Sequence, residues 1–196
     1  MQSLFAVWKA RRMWPSIMRQ FDPREFRNAL SHFVTGVAIV TTNAHGHFLG
    51  ATISSFNSVS LMPPLVLFSI ARSALSLDLW RSVERYGVTV LAEHQTELSN
   101  RFARAGVDKF KDLRLEVMEN GSPLLPDWLA YFECEPYARH DGGDHEIFVG
   151  RVLAFRCRPQ PEQSRPLVFY KGKYRALDSD IKLAPPPEVD VWLHGW

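Results

Sequence analysis

The amino-acid sequence predicts a mainly β fold, a closed or split β-barrel with peripheral helices. At least six short segments rich in β-branched and apolar residues follow one another at short spacing, with turn residues between them. Few segments have helical periodicity, and strands do not alternate strictly with helices as in a doubly wound sheet. With 196 residues, 46% hydrophobic and 22% charged, the chain fits one such domain with end extensions and a sizeable core.

The chain divides into three parts. Residues 1–21 contain no Asp or Glu and form a basic N-terminal extension: an arm that packs on a neighbour, a membrane-surface helix, or residues upstream of a start at Met18. Residues 22–178 form the barrel domain. Residues 179–196 are a C-terminal tail that carries three consecutive prolines and then acidic and aromatic residues, and we expect it to lie peripherally.

The domain is expected to begin with a helix. Asp22 supplies an N-cap acceptor, Pro23 suits the first helical position, and Glu25 stands at the third. An apolar stripe follows at i, i+4 and i+7, formed by Phe26, Leu30 and Phe33. The helix should end before Gly36.

Nine segments after this helix are predicted strands. They are residues 37–42, 47–55, 65–70, 86–91, 115–118, 129–138, 146–156, 166–169 and 173–177. Turn signals separate the first pair and the two longest segments, and Pro63-Pro64 marks an edge or corner of the sheet.

Two further helices are expected at the periphery of the barrel. Ser73 is the predicted cap of the first, whose inward face is Leu75, Leu79 and Val83. The second covers residues 96–105, with Leu98, Phe102 and Ala105 inward.

Composition and charge exclude several classes of protein. The net charge is +2 and there is no run of five or more Lys and Arg residues, so a nucleic-acid-binding surface is not expected. No segment approaches the roughly 18 apolar residues of a membrane span, and the N-terminus does not resemble a secretion signal. Cys134 and Cys157 lie in apolar strand contexts, which predicts buried free thiols in a reducing compartment, the cytoplasm.

Several catalytic and cofactor signatures are absent. The sequence has no G-x-G-x-x-G, Walker A, G-x-S-x-G or H-E-x-x-H pattern. His45 and His47 flank one glycine at a turn, but no Cys or carboxylate stands at a suitable spacing, so no metal site is predicted.

Residues 50–64 form an uncharged ribbon between two apolar segments. Five of these residues are Ser or Thr. Hydroxyls and backbone N–H groups on such a ribbon suit a flat, polar, anionic ligand. A Ser/Thr-rich β-turn connection is the alternative interpretation.

Two other positions could contact such a ligand. Ser69, Arg72 and Ser73 close a strand and open a helix, where a guanidinium and free N–H groups can bind phosphate; an ordinary serine cap beside a solvated arginine is the alternative. His145 follows Asp144 at the start of a strand and could donate a hydrogen bond to a ligand, or be a turn residue only.

In order and spacing, the sequence resembles the flavin reductase family with the FMN-binding split β-barrel fold, which includes reductase components of two-component flavin-dependent monooxygenases. The resemblance runs from about Phe26 to Leu177. The matching motifs are Thr35-Gly36-Val37, Gly50-Ala51-Thr52, Ser54-Ser55-Phe56, Pro63-Pro64-Leu65, Leu98-Ser99 with Phe102-Ala103, Gly143-Asp144-His145, and residues 166–172 with Tyr174.

The resemblance implies a homodimer with flavin in a groove near the subunit interface. It assigns the isoalloxazine and ribityl contacts to Thr52, Ser54, Ser55 and Ser60. It assigns the phosphate to Ser69, Arg72 and Ser73, and places Phe102 nearby. It assigns the nicotinamide contact to His145, with Tyr174 as a neighbour.

The implied activity is NAD(P)H-dependent reduction of FMN or FAD, with reduced flavin supplied to a partner monooxygenase. Binding and stacking geometry are the protein's main contribution to such a hydride transfer. One alternative is a flavoprotein that keeps its flavin and reduces another acceptor, such as a cobalt corrinoid. The others are a non-catalytic flavin-binding protein and a metal- or haem-binding split barrel. The sequence leaves open FMN or FAD, and NADH or NADPH.

Overall fold

A computed structural model describes residues 21–119, 121–158 and 165–177 of the chain. The N-terminal extension up to residue 20 and the tail predicted for residues 179–196 lie outside the described residues. No helix in the described part is long and apolar enough to span a bilayer.

Strands dominate the described part of the chain. In chain order they are β1 (Thr35–Gly36), β2 (Ala38–Ala44), β3 (His47–Ile53), β4 (Asn57–Leu61), β5 (Pro64–Ala71), β6 (Tyr86–Val90), β7 (Glu116–Val117), β8 (Pro123–Leu124), β9 (Ala130–Gly142), β10 (His145–Cys157), β11 (Val168–Tyr170) and β12 (Lys173–Arg175). The helices are α1 (Pro23–Leu30), α2 (Leu77–Ser82) and α3 (Thr96–Ala103), and a 3₁₀ turn covers Glu93–Gln95.

Seven antiparallel strands form the main sheet in the order β3-β2-β6-β9-β10-β5-β4. The sheet does not close by strand pairing, but the Oγ of Ser55, just beyond β3, accepts the backbone N–H of Ser69 on β5 at 3.0 Å. Smaller sheets form from β1-β11-β12 and from β7-β8. This open, curled sheet with peripheral helices confirms the predicted mainly β split barrel.

The core lies inside the curled sheet and is rich in aromatic rings. Phe68 on β5 is fully buried, stacks on Phe148 of β10 with centroids 5.3 Å apart, and meets Tyr86 of β6 edge-on at 5.2 Å. A second buried cluster beneath α3 includes Phe102 and Leu167. The strands that carry the hydroxyl-rich ribbon are thus anchored on packed aromatic residues.

Helix α1 agrees with its predicted start. The Asp22 side chain accepts the N–H of Arg24 at 2.7 Å, and Pro23 takes the first helical position. The helix ends at Leu30, but none of its residues is buried in this chain.

The prediction that Ser73 caps helix α2 is wrong. The N-cap of this helix is Ser76, because β5 and two turn hydrogen bonds, Ala74 N–H to Ala71 and Leu77 N–H to Ala74, delay the helix by three residues. The later start rotates the buried face. Leu77 and Trp80 are buried, whereas Leu75 is 94% exposed and Leu79 is also exposed; of the predicted face only Val83 is buried.

Two other expectations for single residues were wrong. Helix α3 ends at Ala103, where the backbone of Arg104 turns extended, so Ala105 is exposed rather than inward. Cys134 is a buried free thiol as expected, and burial raises its pKa to about 12. Cys157 is exposed, because the last half of β10 extends beyond the packed part of the barrel.

Candidate functional site

A cleft of about 640 Å³ opens between the end of β3, the end of β5 and the loop that follows α3. Its volume is within the usual range for small-molecule sites. Of the predicted site residues, six line it: Thr52, Ser54, Ser55, Ser69, Phe102 and His145. The structure therefore gathers, in one place, residues separated by up to 93 positions, the span from Thr52 to His145.

Serine hydroxyls are the commonest polar groups of the lining. Ser54, Ser55, Ser69 and Ser76 all face the cleft, and Ser76 was not predicted. The Ser55 hydroxyl connects the end of β3 to β5 by accepting the Ser69 N–H. These hydroxyls can each donate to a ligand oxygen without adding charge.

Thr52 has a structural bond in addition to its place in the lining. Its Oγ1 donates to the carbonyl oxygen of Ser99 on α3 at 2.6 Å. The donor is thus used to attach α3 to β3, and only the hydroxyl's acceptor capacity remains for a ligand.

Lys109 is a cleft residue that the sequence interpretation missed. Its Nζ donates to the carbonyl oxygens of Gly50 at 2.9 Å and Phe102 at 2.8 Å, and burial lowers its pKa. No salt bridge pairs this ammonium with a carboxylate among the described residues. It therefore offers a third N–H and a positive charge to an anionic ligand. A lone lysine in a polar loop gives no sequence signal, since its partners lie far away in the chain.

Aromatic rings form one wall of the cleft. Phe102 is almost fully buried and meets Phe110 edge-on with centroids 5.0 Å apart, and Phe110 also packs on Phe48 at 5.6 Å. Gly50 lies against the Phe102 ring so closely that a Cβ there would be 2.4 Å from Cε1. A glycine at this position is what lets α3 approach β3.

His145 begins β10 at the margin of the cleft. Its Nδ1 lies 2.8 Å from Oδ1 of Asp144, and this hydrogen bond lowers the pKa of the carboxyl. An ionised carboxylate only accepts hydrogen bonds, so Nδ1 carries the proton. Nε2 has no hydrogen-bond partner among the described residues and is the ring nitrogen available to a ligand.

Four predicted site residues do not line the cleft. The Ser60 Oγ accepts the N–H of Met62 at 3.2 Å within the β4–β5 turn. Arg72 forms an ion pair with Asp141 at 2.7 Å, and Ser73 is exposed in the segment before α2. These three side chains lie outside the lining of this single chain, so their predicted ligand contacts stay predictions.

Tyr174 is the fourth of these residues and braces α3 from β12. Its hydroxyl lies 2.8 Å from the Ser99 Oγ and donates to Asn100 Oδ1 at 3.1 Å. Since Ser99 is fully buried and its carbonyl accepts from Thr52, these bonds fix α3 from both sides.

The described residues contain no group of three or more His, Cys, Asp or Glu side chains that could hold a metal ion. The cleft is lined by hydroxyls, aromatic rings, the imidazole of His145, the cations Lys109 and Arg104 and one carboxylate, Asp108. Such a lining suits a flat ligand that carries negative charge.

Comparison with known proteins points to one family. The family described as the flavin reductase like domain matches residues 30–178. The chain is 40% identical over 172 residues to the flavin-dependent monooxygenase reductase subunit HsaB of Rhodococcus jostii, covering 86% of this chain and 85% of that protein. It is 43% identical over 153 residues to the FMN reductase (NADH) SmoA of Agrobacterium fabrum, covering 78% and 85%.

A solved structure with the same fold contains ligands. The NADH:FAD oxidoreductase SgcE6 of Streptomyces globisporus, in complex with NAD and FAD fragments, superposes with a TM-score of 0.76 at 31% identity. The match covers 82% of this chain and 96% of that one.

Proposed function

This chain belongs to the flavin reductase-like family, and we propose that it transfers hydride from NADH or NADPH to FMN or FAD and supplies the reduced flavin to a partner monooxygenase. The resemblance predicted from the sequence is confirmed, and with it the assignment as an NAD(P)H:flavin oxidoreductase. The observation that carries the proposal for this chain is the cleft, where a hydroxyl ribbon, one half-buried cation and an imidazole meet.

The cleft residues fit a flavin. A flat ring system needs a groove lined by small side chains, and Ala51, Ser54 and Ser55 provide them at the end of β3 and beyond it. The phosphate needs donors and positive charge, which the free N–H of Lys109 offers. We therefore assign the anionic end of the flavin to Lys109, together with the predicted phosphate residue Ser69.

A bound flavin supplies the redox chemistry by accepting the hydride. The chain's contribution is to hold both reactants in contact and to exclude water between them. Ser54 and Ser55 bond the polar edge of the ring system, while Phe102 and Phe110 support the wall behind β3. His145 contacts the nicotinamide nucleotide through Nε2, since Nδ1 is engaged by Asp144.

The test is a matrix of NADH and NADPH against FMN and FAD, followed by nicotinamide absorbance, with identification of any co-purified flavin. We expect oxidation only when a flavin is present. Ser69→Ala should raise the flavin KM about five-fold, the equivalent of one hydrogen bond. Ser82→Ala, which removes a hydroxyl on α2 that donates to the Leu79 carbonyl oxygen within the same helix, is the matched control. Flavin binding without nucleotide oxidation in any combination would refute the reductase function.

We also propose that two copies of the chain form a homodimer. None of the residues of helix α1 is buried, and its apolar residues Phe26 and Leu30 are 55% and 56% exposed. Phe33, in the turn after the helix, continues this apolar stripe and is 77% exposed. An eight-residue helix is not stable by itself in water, so a surface outside the described residues should cover this stripe. The family resemblance supports a second copy as that surface.

Light scattering during gel filtration tests the homodimer. The wild-type protein should elute with twice the monomer mass of 22.5 kDa, and Phe33→Glu should shift it toward the monomer. Leu79→Glu, at an exposed position of α2, should leave the mass unchanged. A monomeric wild-type protein would mean that residues 1–20 or another protein cover the stripe.

The cytoplasm is the compartment we propose for this activity. Both cysteines are free and Cys157 is exposed, as is usual for proteins in reducing compartments. Detection of an oxidised, cross-linked Cys157 in protein isolated under thiol-blocking conditions would argue against it.

A further inference from the structure

Arg72 binds the turn that presents His145, instead of facing the cleft. Its backbone N–H donates to the Asp144 carbonyl oxygen at 2.8 Å. Its Nε donates to the Gly143 carbonyl oxygen at 2.9 Å, and its Nη2 donates to the Asp141 carboxylate at 2.7 Å. One residue at the end of β5 thus holds three of the four residues in the 141–144 turn.

The turn needs such restraint because of its composition. Gly142 and Gly143 are adjacent, and Gly143 has a φ of 75°, a conformation that glycine adopts readily but does not enforce. The Asp141 carboxylate also accepts the Gly143 N–H at 3.1 Å, and its pKa is lowered mainly by the hydrogen bond from Arg72. The Asp141 side chain is 81% exposed, so its ion pair with Arg72 contributes little by itself. The restraint on the glycine pair comes mainly from the Arg72 hydrogen bonds to the carbonyl oxygens of Asp144 and Gly143, which Asp141 supplements.

The Asp144–His145 hydrogen bond cannot orient the imidazole unaided. The Asp144 side chain is 93% exposed and that of His145 is 45% exposed. Exposed ion pairs contribute little, because water and salt compete for both groups. The orientation of the ring thus depends on how firmly the backbone of the turn is held.

We propose that Arg72 and Asp141 are positioning residues that hold the 141–144 turn and so keep His145 in the tautomer whose Nε2 is free for the nicotinamide nucleotide. The inference rests on the proposed function, in which His145 contacts that nucleotide. A buried carboxylate supports the guanidinium from the other side. Glu146 lies 3.6 Å from Arg72 Nη1 and is itself bound by Arg81 at 2.6 Å.

The contacts of Arg72 and Asp141 with the 141–144 turn, here called the clamp, can be tested in the ligand-free protein by nitrogen NMR of the histidine rings. His145→Gln identifies the His145 signals among the seven histidines. In the wild type, His145 should carry its proton on Nδ1. In Arg72→Met and in Asp141→Asn it should show a mixture of tautomers, and the Gly143 amide should exchange at least ten-fold faster. Arg85→Met, which removes an exposed arginine paired with Glu135, is the matched control.

Kinetics then test whether the clamp serves the reaction. Loss of a pre-ordered side chain should raise the nucleotide KM about three- to ten-fold in Arg72→Met. The dissociation constants of FMN and riboflavin, measured by fluorescence, should stay within two-fold of the wild type, roughly 0.4 kcal/mol. Arg72→Met combined with His145→Gln should raise the nucleotide KM no further than His145→Gln alone.

Each other outcome overturns the inference in a recognisable way. Unchanged His145 tautomer and Gly143 exchange in Arg72→Met would mean that no clamp exists. Weaker binding of FMN but not of riboflavin would make Arg72 a phosphate ligand. If the two substitutions raise the KM independently, Arg72 does not act through His145. If His145→Gln leaves the nucleotide KM unchanged although the NMR shows the clamp, the proposed role of His145 fails and the positioning role fails with it.

Discussion

Substitution of Gly50 by alanine tests whether the close approach of β3 and α3 shapes the cleft. An alanine Cβ would lie 2.4 Å from Cε1 and 2.6 Å from Cδ1 of Phe102, and 3.2 Å from Cζ of Phe110. Carbon atoms in contact normally lie about 3.5–4.0 Å apart, so the Phe102 ring must move by about 1 Å. The ring is 1% exposed and packed edge-on against Phe110, so this movement disturbs its packing.

Overpacking of this kind costs about 1–3 kcal/mol. We expect Gly50→Ala to lower the free energy of unfolding by that amount in urea titrations at one fixed protein concentration. The flavin dissociation constant should rise as well, because Lys109 bonds the carbonyl oxygens of both Gly50 and Phe102. Gly36→Ala is the matched control, since a Cβ there has no neighbour within 4 Å.

A double-mutant cycle separates this clash from a general effect of alanine on β3. Phe102→Leu shortens the obstructing ring, so the combination with Gly50→Ala should be less destabilising than the sum of the two single changes. Contacting residues usually couple by about 0.5–3 kcal/mol. If Gly50→Ala matches Gly36→Ala in stability and flavin affinity, the close approach does not require glycine and the reasoning is wrong.

Three further predictions concern charge and hydrogen bonding. Lys109→Met should weaken FMN binding about 5- to 30-fold, because it removes one charge-assisted hydrogen bond whose free energy is reduced by the partial exposure of the ammonium. It should weaken riboflavin binding less, since riboflavin has no phosphate. Glu146→Gln should lower the free energy of unfolding at neutral pH, because hydrogen bonding from Arg81 stabilises the Glu146 carboxylate and lowers its pKa. The stability that this carboxylate contributes is fully present above its unfolded pKa of about 4.3 and is lost as the pH falls through the lower pKa of the folded state. Tyr174→Phe should destabilise the protein by about 1 kcal/mol, because it removes the bridge to Ser99, without changing either KM.

These three predictions have clear controls and contrary outcomes. Lys173→Met changes an exposed lysine on β12 and should not affect flavin binding; equal loss of FMN and riboflavin in Lys109→Met would move the Lys109 contact away from the phosphate. If the difference in unfolding free energy between wild type and Glu146→Gln does not decrease on acidification, the charge of Glu146 does not stabilise the folded protein. If Tyr174→Phe raises a KM and leaves the free energy of unfolding unchanged, Tyr174 contacts a ligand rather than bracing α3.

The sequence carried enough local information to predict the fold. Strand alternation, the turn at residues 141–144 and the cap at Asp22 are all properties of neighbouring residues, and each is present in the structure. The edge strand β4 was missed because its serines alternate with exposed residues in a pattern that also suits a turn. The cap of α2 was misplaced because long-range pairing of β5 with β10 sets where the helix begins.

The candidate site was predictable only in part, for a related reason. The hydroxyl ribbon is continuous in sequence, so the sequence alone identifies its cleft residues Thr52, Ser54 and Ser55. Arg72 was assigned to a phosphate, but its nearest acceptors come from a turn about 70 residues later.

The sequence by itself determined the family, the pattern of hydrophobic and polar residues along each strand, and the ribbon that lines the cleft. Only the tertiary structure decided which distant groups meet that ribbon. Lys109 meets Gly50, Tyr174 meets Ser99, and Arg72 meets Asp141 because the sheet curls, which also brings Ser55, just beyond β3, to Ser69 on β5. The periodicity of hydrophobic residues encodes which face of a strand is buried. Which residues distant in sequence come into contact depends on strand register and sheet curvature, and these are collective properties of the whole sheet.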